Sequence, residues 1–170
     1  MTRSADPSIV LGIDPGYDRV GWAVGKVDAI YTVKLLEYGL IQTQKADDIF
    51  TRYTQIQSEL SDILEKHAPS SAGLETLFFS KNTKTALRVS EARGVIIAEL
   101  LQHACSVHEY NPVQVKQAVT GYGQADKAAV EKMVRLQLHI AQQNVMDDTM
   151  DALAIVLTHS TQRKLEKRLL

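Results

Sequence analysis

The spacing of apolar residues first changes period near residue 49, and this change limits the possible folds most tightly. Before it, the apolar runs are short. Ile9-Val10-Leu11-Gly12-Ile13 ends at Asp14, where Pro15-Gly16 signals a turn. Gly21-Trp22-Ala23-Val24-Gly25 reads as a second strand, and Tyr31 to Thr43 as a third. Three strands in succession, joined by short turns, imply an antiparallel meander. After the change, Ile49, Tyr53, Ile56, Leu60 and Ile63 recur at spacings of four and three, which marks one face of a helix. Pro69 and Ser70-Ser71 close that helix.

The remainder alternates. Ala72 to Leu77 reads as a buried strand, and a long helix follows from about Thr83 to His103, with Asn82 as its N-cap. Its stretch from Ala92 to Leu101 is apolar nearly all round, which predicts burial on more than one side. Ser106 to Tyr110 is a further strand. Asn111-Pro112 opens a helix to about Val119, because proline suits the first helical position. Helices are expected from about Ala125 to Leu138 and from about Asp148 to Thr161. The order β-β-β-α-β-α-β-α-α-α predicts an α/β protein, a mixed sheet with helices on its faces.

At 170 residues the chain suits one domain with a sizeable core. The expected organisation is an N-terminal extension over 1–8, a domain over 9–160 and a basic tail over 161–170. Cys105 is the only cysteine, so no internal disulfide can form, and a reducing, cytoplasmic setting is expected. The most apolar stretch is interrupted by Glu99 and is too short to cross a membrane. A net charge of -1 argues weakly against a nucleic-acid partner. Its distribution is more informative. Residues 76–135 carry eight Lys/Arg against five Asp/Glu, and residues 161–170 carry four against one, so the rest is acidic. Carboxylates gathered around metal and lysines around phosphate fit this split, and so do ordinary solvated helices.

Four acids stand where a metal site needs them. Asp14 ends the first strand, Glu75 lies in or at the end of the fourth, and Asp148 and Asp151 share one face at the start of the last helix. Carboxylate oxygens suit a hard ion such as Mg²⁺, and a pair of such ions serves phosphodiester cleavage. Each acid also has a plainer reading. Asp14 can start a turn, Glu75 can pair with a lysine, and Asp148 and Asp151 can cap the last helix or meet its dipole. Asp147 can replace Asp148 in either role.

Four segments together resemble the RuvC family of Holliday junction resolvases: VLGIDPGYDRVGWAV, GLETLFFSKNTKTALRVSEARGV, YNPVQVKQAVTGYGQADKAAVEKMV and DDTMDALAIVLTH. They run in order from about Ile9 to His159. The resemblance implies an RNase H-like fold, with a mixed five-stranded sheet flanked by helices. It implies a Mg²⁺-dependent endonuclease, with two ions per subunit and Mn²⁺ able to substitute. The expected enzyme is a homodimer making paired nicks in like-polarity strands of four-way DNA junctions, and it works with a RuvA-RuvB-type branch-migration complex. Matched motif by motif, Asp14, Glu75, Asp148 and Asp151 fall on the family's metal-binding acids. Lys116 and Lys127 match lysines near the cleaved strand. Tyr17 and Val20 depart from the residues common at their positions, which puts DNA contacts in that turn in question.

Further DNA contacts are expected from Lys81, Asn82, Lys84 and Arg88, with solvated surface roles as the alternative. Phe78, beside Phe79, is the expected wedge between bases, with core packing as its alternative. The long helix around Arg93-Gly94-Val95 is a candidate dimer element. His159, two turns past Asp151, reads as structural. A GIDPG strand end also resembles the phosphate loop of actin-like ATPases, but those need two such domains and about twice this length.

Overall fold

The computed structural model describes residues 8–28, 30–76 and 83–169, and side chains within these ranges except 83–85 and 164–169. Among the described residues the elements are β1 (Ser8–Asp14), β2 (Arg19–Val27), β3 (Val33–Gln42), α1 (Ile49–His67), β4 (Ser71–Glu75), α2 (Thr83–Gln102), β5 (Ser106–Tyr110), α3 (Pro112–Thr120), α4 (Lys127–Leu138) and α5 (Asp147–Leu169). The five strands form one sheet in the order β3-β2-β1-β4-β5. β1, β2 and β3 pair antiparallel, as the short turns require, whereas β4 runs parallel to β1 and β5 parallel to β4. The parallel pairs are joined through α1 and α2, because a parallel connection needs a crossover.

The central strand explains the layers. Side chains alternate faces along a strand. Leu11 and Ile13 point to one side, into a core with Ile56, Leu60 and Leu64 of α1 and Ile96 and Leu100 of α2. Val10 points to the other, into a core with Leu153 and Val156 of α5 and Val134 and Leu138 of α4. β1 is apolar from Ile9 to Ile13 because both of its faces are covered.

The helix ends follow their sequence signals. Asp48 caps α1, accepting from the backbone N–H groups of Phe50 and Thr51, and Ala68 ends it in the left-handed region at φ 45°. Asn111 and Gln114 form a reciprocal capping box around Pro112. Asp126 caps α4 by accepting from Ala129 N.

Three expectations are corrected. β4 ends at Glu75, short of Leu77, so Glu75 sits at the strand's tip. α5 continues past Thr161 to Leu169, because the basic segment contains no glycine or proline to stop it. α2 is buried on one face only within this chain: Ala92, Ile96 and Leu100 are covered, but Leu101 is 59% exposed. α2 packs on α1 and the sheet, and no described element lies over its outer face. No described helix is long and apolar enough to cross a membrane.

Candidate metal centre

Asp14 closes β1, and Glu75 closes β4. Ile13 pairs with Leu74 in the parallel ladder, so the two acids leave adjacent strands at the same edge of the sheet. α5 then lays its first turn on the strands beside them. It comes this close because β1 and β2 offer it glycines. A β-carbon on Gly12 would collide with the carbonyl oxygen of Ala152, and one on Gly21 with that of Asp148. Thr149 Oγ1 donates to the Gly39 carbonyl at 3.1 Å and ties the same turn to β3. Asp148 and Asp151, three residues apart, are delivered to the strand tips.

The electrostatics record this convergence. The Asp14 carboxyl is pushed up to about 8, first by burial and then by the negative charges of Asp151, Glu75 and Asp148, with Lys127 opposing them. Glu75 is held above the usual carboxylate range by burial and by Asp151. Asp151 is raised chiefly by burial and also by Asp147 and Asp148, against the pull of Lys127. Acids from three distant segments therefore share one field. Glu75 makes no ion pair among the described residues, which do not include Lys81 or the side chain of Lys84.

Asp147 and Asp148 separate clearly. The Asp147 side chain is 77% exposed and pairs outward with Lys127 Nζ at 3.0 Å. The Asp148 side chain is 23% exposed, and its Oδ2 lies 3.0 Å from Arg19 Nε. That buried oxygen accepts no hydrogen bond of good geometry, so the contact with Arg19 is one of charge alone.

Among the described residues no three acidic, imidazole or thiol side chains are already drawn together as a metal cage. In this arrangement Asp148 is turned toward Arg19. The donor chemistry nevertheless fits a hard divalent cation. All four groups offer oxygen, Asp14 lies in excess negative charge, and Asp148 holds a buried oxygen without a hydrogen bond.

Beside the acids lies a groove of about 210 Å³, bounded by Glu75, Asp151, Lys116 and Lys127, with Pro112, Val115, Val130 and Met150 as its apolar walls. Both lysines therefore stand next to the acid cluster. Arg88 lies on α2, in the opposite layer, and pairs with Glu91 at 2.8 Å. Phe78, Lys81 and Asn82, the last also the expected N-cap of α2, lie outside the described residues, as does the side chain of Lys84. His159 is fully buried. Its ring bonds Ser71 Oγ at 2.8 Å and Tyr110 Oη at 2.7 Å, and burial, with the charges of His108 and Arg163, lowers its pKa to about 3. It supports the core rather than joining the acids.

Two residues beside the site were missed in the sequence. Arg19 is one; its position two residues before Gly21 on β2 is the signal that places it on the α5 face. Arg52 of α1 is the other. It is buried, donates from Nε to Thr43 Oγ1 at 2.9 Å and from Nη2 to the Tyr17 carbonyl at 3.0 Å, and pairs with Asp18. Its guanidinium lies 4.9 Å from the centroid of the Tyr17 ring. Arg52 thus braces the turn that follows Asp14, and Tyr17 serves as its platform. Val20 is fully buried on the α1 and α2 side, so its side chain does not reach the surface.

A mixed five-stranded sheet with acids at the tips of two adjacent strands and on the helix that crosses them is the RNase H-like arrangement that the motifs implied. A family model, crossover junction endodeoxyribonuclease RuvC, matches residues 10–159, and the chain belongs to that family. It is 39% identical over 156 residues to the crossover junction endodeoxyribonuclease RuvC of Petrotoga mobilis, covering 92% of this chain and 95% of that one. It is 42% identical over 158 residues to the protein of that name from Brachyspira hyodysenteriae, covering 92% and 96%. The fold matches that of T. thermophilus RuvC in complex with a Holliday junction substrate, with a TM-score of 0.88 and 30% identity over 94% of this chain and 96% of that chain.

Proposed function

We propose that the chain is a Holliday junction resolvase, an endonuclease that makes paired, symmetric nicks in like-polarity strands of four-way DNA junctions. The observation that carries the reading is the meeting of Asp14 and Glu75, at adjacent strand tips, with the first turn of α5 that bears Asp148 and Asp151. Such a cluster is costly to a fold unless it holds cations.

Asp14, Glu75, Asp148 and Asp151 hold the metal, Mg²⁺ with two ions per subunit, and Mn²⁺ substitutes. The chemistry such ions would supply there is activation of the attacking water and offset of charge on the leaving oxygen. The protein's own part is placement. The acids would place the cleaved phosphodiester at the strand tips only through the ions they hold, since carboxylates alone repel phosphate. Lys116 and Lys127, at the rim of the neighbouring groove, meet the phosphate and steady the charge it gains in the transition state. Lys81, Asn82, Lys84 and Arg88 extend the contact to flanking phosphates, and Phe78 enters the base stack at the crossover.

Two equivalent cuts call for two equivalent sites, which a two-fold homodimer supplies. The outer face of α2 suits the contact, because Gly94 leaves its surroundings open and Leu101 is exposed. The setting is cytoplasmic, and a RuvA-RuvB-type motor delivers the junction.

A competition assay tests the reading. Four-way, three-way, flap and linear duplex DNA are offered together with Mg²⁺. Preferential cutting of the four-way junction, abolished by chelator, supports the proposal. Equal cutting of flap or linear DNA assigns the nuclease to another substrate, and tight binding without cutting makes the chain a junction-binding protein.

A further inference from the structure

Among the described residues, Arg19 is the only lysine or arginine in an ion pair with any of Asp14, Glu75, Asp148 and Asp151. Its position follows from the strand. Arg19 opens β2, and alternation puts it on the same face as Gly21 and Ala23, toward α5. The backbone of Asp148 rests on Gly21, so a long side chain two residues earlier lies alongside the first turn of the helix.

The contact is close but loosely held. Arg19 Nε stands 3.0 Å from Asp148 Oδ2, without the geometry of a hydrogen bond. The Arg19 side chain is 44% exposed. It also borders an open surface groove with Gln42, Thr43, Gln44 and Lys45, which leaves room for the guanidinium to move off the carboxylate. Arg19 is the exposed partner of the pair, and a solvent-facing side chain of this kind is weakly held. A cation beside a carboxylate lowers its negative field and repels a second cation.

We propose that Arg19 is the resident counter-ion of Asp148 when no divalent ion is bound, and that it yields the carboxylate to the ion. Arg19 is then a positioning residue that sets the metal affinity of the site. The inference rests on the reading of the four acids as metal ligands. A plain structural staple at the start of α5 makes the opposite prediction, because removing a staple disorders Asp148 and weakens metal binding.

The test is Mn²⁺ binding to the full chain without DNA, measured by titration calorimetry or by the loss of free Mn²⁺ paramagnetic resonance. Arg19→Gln should bind roughly 3- to 10-fold more tightly than the wild type, the scale on which an exposed charge competes. Arg19→Met keeps the apolar stem over β2 and should shift affinity in the same direction should the glutamine variant fold poorly. Arg19→Lys keeps the charge and should stay within about twofold of the wild type. Unchanged or weaker binding by both neutral variants overturns the proposal. Asp14→Asn and Asp151→Asn separate this failure from that of the underlying reading: if both bind Mn²⁺ as the wild type does, the reading of the acids as ligands fails.

Discussion

The carbonyl oxygen of Asp148 occupies the place where a β-carbon on Gly21 would stand. Gly21 is also paired directly with Asp14 in the β1–β2 ladder. One missing side chain therefore lets the helix carrying two of the acids reach the strand carrying a third. The site is assembled by close backbone approach, with α5 pressed onto glycine positions and Thr149 tied to Gly39.

Gly21→Ala should push the first turn of α5 off the sheet. Overpacking of this kind costs about 1–3 kcal/mol, and the displaced Asp148 and Asp151 should lower nicking at least 100-fold. Thermal unfolding and a nicking assay on the same preparation check it. Full nicking by a stable variant contradicts the packing described here.

Asp14→Asn should abolish nicking and yet stabilise the metal-free protein. The amide removes a buried negative charge that is repelled by Asp151, Glu75 and Asp148. A gain of about 1 kcal/mol corresponds to roughly 2–4 °C in melting temperature for a chain of this size. Melting in chelator at pH 8 measures it, and a lower melting temperature would show that Asp14 is compensated by the fold itself.

Stability of the metal-free protein should fall between pH 6.5 and pH 8. The Asp14 carboxyl rises from an ordinary 3.8 to about 8 on folding, so the folded chain keeps a proton that the unfolded chain has lost. Its contribution is fully present below about pH 4 and disappears as pH climbs through 8. The raised values of Glu75 and Asp151 act in the same direction. His159 acts oppositely. Its pKa drops from 6.5 to about 3, so its contribution is complete above 6.5 and is lost as pH falls toward 3. Above pH 6.5 the acids remain as the sloping term. Melting midpoints in chelator should therefore decline toward pH 8, and saturating Mg²⁺ should flatten the slope. A level profile in chelator runs against the coupling of the acids.

Neutralising Lys116 or Lys127 should weaken junction binding for all sequences alike. Each phosphate contact contributes close to one unit to the slope of log affinity against log salt, so Lys116→Gln and Lys127→Gln should each reduce that slope by about one. Filter binding across a salt series reads it. An unchanged slope places the lysine away from DNA.

Most of the fold was legible in the chain. The change of period at Ile49 separated meander from helices, and Asn111-Pro112 marked the start of α3 to the residue. The ends were less legible where no breaker stands: α5 runs on because nothing in the basic segment stops it. The one-sided burial of α2 was hidden because an apolar run does not reveal whether its partner is in the same chain. The four acids could be listed from sequence, and the motif match took Asp148 rather than Asp147; the helix phase turns Asp147 outward to Lys127 and Asp148 inward to Arg19. Arg19 and Arg52 went unnoticed, since a charged residue in a strand or amphipathic helix reads as solvated until its neighbour is known. The glycines at 12 and 21 carried an unread signal, a bare strip on one face of β1 and β2 that the last helix fills.

The most direct measurement is cleavage of a synthetic mobile four-way junction, with both nick positions mapped on labelled strands. The account predicts symmetric nicks in two strands of like polarity with Mg²⁺, none in chelator, and none for Asp14→Asn, Glu75→Gln, Asp148→Asn or Asp151→Asn that still bind the junction. Wild-type nicking by any of those four variants, or unpaired nicks at unrelated positions, would contradict it.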